Sequence, residues 1–87
     1  MTTFNKLLDM KGRLCLITGA SGSIGSVLSE TMSELGADLI IVDKDLGKLN
    51  KLKKTLEKKW ENNIYSYECD IEYETERKKL FRKIRHL

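Results

Sequence analysis

The sequence predicts an α/β fold in which helices flank a parallel sheet, and three observations carry that expectation. Two uninterrupted apolar runs, Leu14-Cys15-Leu16-Ile17-Thr18 and Leu39-Ile40-Ile41-Val42, read as strands buried on both faces. A segment of helical periodicity follows each run. A glycine cluster joins the first run to the first helix.

Taken in order, residues 1–13 are mixed polar and apolar and read as a lead-in loop with a helical turn. The first strand ends at Thr18. A helix follows from about Ser23 to Leu35, with Ile24, Val27, Leu28, Thr31, Met32 and Leu35 forming one stripe expected to face the core. Gly36 stands where a left-handed C-terminal cap is needed. The second strand ends at Asp43. The second helix runs from about Leu46 to Trp60, with Asp45 as its N-cap. Leu46, Leu49, Leu52, Leu56 and Trp60 line one side of it. Asn62-Asn63 breaks the chain before a third strand, Ile64 to Cys69, in which Tyr65, Tyr67 and Cys69 alternate. A third helix from about Thr75 to His86 presents Leu80, Phe81, Ile84 and Leu87 as its apolar side.

The order is β-α-β-α-β-α. Helix-length crossovers imply parallel pairing and right-handed connections. The three strands then stack in the order 3-2-1, part of a Rossmann-type three-layer α/β/α sheet. The first strand becomes an edge although its sequence is that of a central strand. An exposed apolar edge invites association, so self-association through the first strand is expected.

Composition is that of an ordinary globular chain. Of 87 residues, 40% are hydrophobic and 33% charged, which argues against both a disordered and a membrane-embedded chain. No apolar run approaches the roughly 20 residues that span a bilayer, and no basic segment followed by an apolar one opens the chain. The expectation is a cytoplasmic protein with no membrane partner. The net charge of +3 comes from two lysine- and arginine-rich stretches, 44–59 and 77–85. These read as solvated helix faces; without interleaved aromatics they do not make a nucleic-acid surface. Cys15 and Cys69 lack metal-ligand spacing. They lie two strands apart, about 9–10 Å, beyond the roughly 7 Å reach of a disulfide. Both read as buried, reduced thiols, and no metal site is expected.

The chemistry resides in Thr18-Gly19-Ala20-Ser21-Gly22-Ser23-Ile24-Gly25. Gly19 permits the tight turn, Gly22 lets the backbone approach a phosphate, and Gly25 lets the helix lie close on the strand. The free N–H groups at the helix start then face a pyrophosphate, favoured by the helix dipole. The hydroxyls of Ser21 and Ser23 are candidate donors to it. A plain strand-to-helix turn would use the same glycines, but an acid at the end of the next strand adds to the pattern. That acid, Asp43, can accept hydrogen bonds from the adenosine ribose and would repel the 2′-phosphate of NADP. NAD is therefore favoured, although Lys44 beside it attracts phosphate. Asp70 ends the third strand, next to Ile71. No Gly-Lys-Ser or Gly-Lys-Thr follows the glycines, which excludes an ATPase phosphate loop.

These residues, with Met10-Lys11-Gly12-Arg13, Leu35-Gly36-Ala37 and Cys69-Asp70-Ile71, resemble the short-chain dehydrogenase/reductase family over essentially the whole chain. The resemblance implies an NAD(P)-dependent oxidoreductase acting on a small-molecule substrate. It implies that Asp70 contacts adenine, with the Ile71 N–H beside it. The glycine spacing, TGxxGxxG, is that of the family's extended branch, the nucleotide-sugar epimerases and dehydratases. Ser23 stands where the classical branch has glycine, whereas Leu35-Gly36-Ala37 and Cys69-Asp70-Ile71 look like the classical branch. Family members are more than twice as long, and their later serine and Tyr-x-x-x-Lys carry the proton transfer. No tyrosine here has lysine four residues on. Residues 1–87 are thus expected to be the N-terminal part of an NAD(P)-binding domain, truncated before the catalytic half and inactive alone. No catalytic residue is assigned. The competing readings are a non-catalytic nucleotide-binding or scaffolding module completed by a partner, a nucleic-acid module using the lysine-rich helix, and a methyltransferase-type domain. Thr18, where a methyltransferase loop carries an acid, disfavours the last.

Overall fold

A computed structural model of the chain describes residues 9–87. The elements are β1 (Leu14–Thr18), α1 (Ser23–Glu34), β2 (Asp38–Asp43), α2 (Leu46–Lys59), β3 (Ile64–Glu68) and α3 (Glu74–Ile84). The strands form one parallel sheet with β2 in the centre, the expected order. Most of the lead-in loop lies outside the described residues. Its final part turns at Lys11–Gly12, where Arg13 N–H donates to Met10 O at 3.0 Å.

The two faces of β2 separate two cores. Leu39 and Ile41 pack with Leu49, Leu52 and Leu56 of α2 and with Ala20 and Ala37. Ile40 and Val42 pack on the opposite face with Cys69 and Leu80, the latter from α3. Thus α1 and α2 cover one side of the sheet and α3 the other, as right-handed crossovers require. On α2, Asp45 caps the first turn by accepting the Lys48 N–H at 3.1 Å, as its sequence position predicts. Leu46 is exposed, so the apolar side of α2 begins at Leu49.

Most of the expected core stripe of α1 faces outward, although Met32 is half-buried and packs against the core as expected. Ile24 is 77% exposed and Val27 63%, whereas Gly25, Ser29 and Ser33 are buried. The reason is size. Glycine and serine recurring every fourth residue form a thin face that brings the helix axis close to the strands. A Cβ at Gly25 would overlap Gly19 O and stand 2.8 Å from Ala20 Cα. The Ser29 hydroxyl donates to Gly25 O at 2.8 Å and so reaches the core satisfied. On α3 only Leu80 is buried and Ile84 half-buried; Phe81 and Leu87, also expected inside, are exposed. Of the two free thiols Cys69 is buried, while Cys15, which packs against the core beneath α1 and α2, is only half-buried because β1 lies at the edge of the sheet.

Two further contacts set the register between units. Gly36, with φ +101°, closes α1 in a Schellman motif: its N–H donates to Ser33 O and that of Ala37 to Met32 O, both at 3.0 Å. The Asn62 amide donates to Ser33 O and Ala37 O, both at 2.7 Å, tying the α2–β3 turn to the end of α1. Asn62 is therefore more than a break in the chain.

Candidate functional site

All three strands end on the same edge of the sheet, and the loops that follow them build the site. The first loop leaves β1 at Gly19, whose φ of +62° is the left-handed conformation glycine adopts without strain. Its course is fixed by the Ala20 N–H, which donates to Val42 O at 3.1 Å, and by the Gly22 N–H, which donates to Gly19 O at 3.1 Å. Gly22 is the N-cap of α1, and its carbonyl accepts the first helical bond from Ser26 N–H at 2.9 Å. The N–H groups of Ser23, Ile24 and Gly25 precede any intrahelical acceptor, as at every helix start. No acidic side chain occupies that first turn. A Cβ at Gly22 would stand 3.3 Å from Gly19 O, a tight contact that glycine avoids while leaving the bend open to an approaching ligand.

The second loop leaves β2 at Asp43, whose side chain turns back to the first. Asp43 Oδ2 accepts the Ser21 N–H at 3.1 Å and the Ser21 hydroxyl at 2.6 Å, and Oδ1 accepts the Asp45 N–H at 3.2 Å. The Ser21 hydroxyl, expected on a phosphate, is here engaged with Asp43. Partial burial pushes the Asp43 carboxyl up. The hydrogen bonds from the Ser21 hydroxyl and from the N–H groups of Asp45 and Ser21, helped by the nearby Lys44 N–H, outweigh it and hold the group below its ordinary value.

The third loop leaves β3. The Cys69 N–H donates to Asp43 O at 3.0 Å, which continues the β2–β3 ladder into the loop. Asp70 Oδ1 accepts the Glu72 N–H at 3.1 Å, closing an Asx turn, and Arg77 donates to Ile71 O at 2.6 Å. A single cleft brings Gly19, Asp43, Lys44, Asp70, Ile71 and Glu72 together. The structure therefore places four of the predicted positions, Gly19, Asp43, Asp70 and Ile71, around one opening and the rest in the adjacent loop and start of α1. The Ile24 side chain points away from the protein, so only its backbone faces this region. Glu72 was not singled out from the sequence; its N–H bond to Asp70 brings it to the rim. Cys69 forms part of the floor. Burial, then Glu76 and Asp70, push its thiol up against the opposing pull of Arg77 and Lys83, so it stays protonated and unreactive at neutral pH.

Among the described residues no three His, Cys, Asp or Glu side chains are grouped to hold a metal ion. None of the described helices is long and apolar enough to cross a membrane. The arrangement is thus an open cleft with an acid at its wall and a helix start beside it.

Comparison with known proteins fits this geometry. The chain is 35% identical over 81 residues to the 3-oxoacyl-acyl-carrier-protein reductase of Rickettsia typhi, covering 93% of this chain and 32% of that protein. Among solved structures, the L-sorbose reductase of Gluconobacter frateurii, determined with NADPH and L-sorbose, superposes with a TM-score of 0.86 at 20% identity. That match covers 91% of this chain and 30% of the reductase. A xylitol dehydrogenase bound to NAD+ superposes with a TM-score of 0.81 at 27% identity, over 86% of this chain and 28% of the dehydrogenase. The chain therefore spans about a third or less of these proteins. The model of the short chain dehydrogenase family matches residues 13–87, from just before β1 through α3, and the chain belongs to that family.

Proposed function

We propose that this chain supplies the dinucleotide-binding part of an NAD(P)-dependent oxidoreductase, with NAD(H) as its preferred cofactor. The observation that carries the reading is Asp43, fixed at the end of β2 by the glycine loop and facing the same cleft as Asp70 and Ile71. The N–H groups of Ser23, Ile24 and Gly25 take the pyrophosphate, and Gly19 and Gly22 keep the loop bare enough for it to approach. Asp43 accepts from the adenosine ribose. Asp70 and the Ile71 N–H hold the adenine. The bound cofactor supplies hydride transfer; this chain's residues bind and orient it.

The carboxylate of Asp43 sets the cofactor preference. An ionised acid at the ribose accepts from a 2′-hydroxyl and repels a 2′-phosphate. Lys44, exposed next to it, pulls the other way, but a lysine ammonium is strongly hydrated on a flexible stem, whereas Asp43 is held by three donors. Calorimetric titration with NAD and NADP tests the preference, and tighter NADP binding would reverse it. Gly22→Val tests the loop. A branched side chain obstructs the phosphate approach, so binding of either dinucleotide should be abolished. Unchanged binding by this variant would refute the site.

The proton donor and substrate pocket lie outside these 87 residues in this reading, which makes the chain the N-terminal portion of its catalytic unit. Exposed Leu14 and Leu16 on the uncovered side of β1 mark where further structure docks. The same surface supports a second reading, a nucleotide-binding module completed by a separate chain. Reading the coding sequence beyond Leu87 decides between them. A frame encoding Asn-Ala-Gly and Tyr-x-x-x-Lys favours the enzyme, whereas a separate polypeptide pairing with β1 favours the module.

A further inference from the structure

Ser21 and Asp43 are 22 residues apart, yet they make the closest polar contact between the first two loops of the site. Two donors of one residue converge on one oxygen. Oδ2 accepts both the Ser21 N–H and its hydroxyl, which uses both lone pairs of that oxygen. Oδ1 accepts only the Asp45 N–H and keeps one lone pair for a ligand. A carboxylate held at both oxygens cannot turn about its last bond without breaking a charge-assisted hydrogen bond.

We propose that Ser21 is a positioning residue that sets cofactor selectivity through Asp43: it holds the carboxylate in one orientation, with Oδ1 left to accept a hydroxyl of the adenosine ribose. The proposal rests on the dinucleotide reading of the site. It moves the Ser21 hydroxyl from the phosphate, where the loop motif alone would put it, to the specificity acid. The backbone N–H of Ser21 anchors the same oxygen, so the hydroxyl supplies the second of two constraints. Removing it takes away the shortest of the three bonds and leaves Asp43 on the two longer N–H bonds, less tightly oriented and easier to protonate. An acid held less tightly both accepts less well from a ribose hydroxyl and repels a 2′-phosphate less consistently.

The test pairs a titration with binding. The carboxyl carbon of Asp43 is followed by NMR across the acid range in the parent, Ser21→Ala and Ser21→Thr. The Ala variant should titrate at higher pH than the parent, and the Thr variant, which keeps the hydroxyl, close to it. NAD binding by Ser21→Ala should weaken about tenfold, the scale of one hydrogen bond to a charged group. NADP binding should change much less, so the NAD-to-NADP ratio falls. In an Asp43→Ala background, Ser21→Ala should have no further effect on NAD affinity. A full tenfold loss in that background would show that the hydroxyl contacts the cofactor directly and would overturn the proposal. An unshifted Asp43 titration in Ser21→Ala would overturn it as well. A parent that binds no dinucleotide sinks the proposed function and the selectivity role together, while the titration still reads whether Ser21 positions the acid. Should Ser21→Ala fail to fold, Ser21→Gly removes the same hydroxyl and keeps the N–H.

Discussion

At the scale of single residues, Asp43 combines an electrostatic and a geometric role. Its carboxyl is held below its ordinary value of 3.8, because the hydrogen bonds it accepts outweigh its partial burial. A depressed native value means that the ionised form is favoured in the folded chain. The stability it contributes is therefore complete above the unfolded value and is lost as pH falls through the native one. Asp43→Asn should lower the melting temperature in the neutral region, flatten the acid limb below about pH 4, and converge with the parent at lower pH. An identical acid limb in both proteins would mean that the hydrogen bonds seen here do not govern the group. Asp43→Ala should weaken NAD binding by about 1–3 kcal/mol, measured by calorimetry. The sequence showed Asp43 as a candidate because an acid at a strand end stands out in a linear reading. Its partner was hidden. Nothing in Ser21 announces a bond to a residue on the next strand; the bond exists because parallel pairing of β1 with β2 brings the two strand ends together.

At the scale of elements, α1 separates what periodicity reveals from what it conceals. Its length, its start beside Gly22 and its glycine cap were all legible, because each depends on local backbone chemistry. Its orientation was legible only in part: Gly25 was expected against the strand, but Ser29 and Ser33 were not. A hydrophobic stripe marks the face that gains most by burial, whereas the face actually buried here is the smallest: Gly25, Ser29 and Ser33. Close approach to the strands selects for size before hydrophobicity. The order of strands and the sides taken by the three helices were legible for the opposite reason. Crossover handedness leaves few alternatives once the apolar runs are found. Two substitutions check the orientation by thermal unfolding of the 87-residue chain. Ser29→Leu should destabilise by about 1–3 kcal/mol, because an added isobutyl group has no room between α1 and the sheet. Leu28→Ser should change stability by less than about 0.5 kcal/mol, since Leu28 is 45% exposed and outside both cores. The reverse ranking would put the hydrophobic stripe inside. Gly25→Ala should be among the more damaging single changes, because its Cβ meets backbone, which cannot rotate away.

At the scale of the whole molecule, the sheet is asymmetric. β2 has a strand on each side and both faces covered, whereas among the described residues β1 pairs only with β2 and leaves Leu14 and Leu16 nearly half exposed. Ile24, Val27 and Leu28 of α1 add a second uncovered apolar area. At about 25 cal/mol per Å², even 200 Å² of apolar surface left in water forgoes roughly 5 kcal/mol, comparable to the whole stability of a small domain. An edge strand also offers unpaired N–H and C=O groups to any neighbour, and apolar side chains make that pairing favourable. The 87-residue chain on its own should therefore be marginally stable and should associate through β1. Sedimentation should show a mass above that of the monomer. Leu16→Lys should return the chain to a monomer without lowering its melting temperature, because a charge at an exposed edge blocks pairing and disturbs no core contact. The isolated chain should also oxidise or reduce no alcohol or ketone in a nicotinamide absorbance assay. Its tyrosines, Tyr65, Tyr67 and Tyr73, are followed four residues on by Cys69, Ile71 and Arg77, so none has the lysine that would lower its pKa for proton transfer. A monomer that unfolds cooperatively above about 60 °C would show that these three strands and three helices need nothing beside β1. Turnover would go further, since it would place a proton donor within these residues.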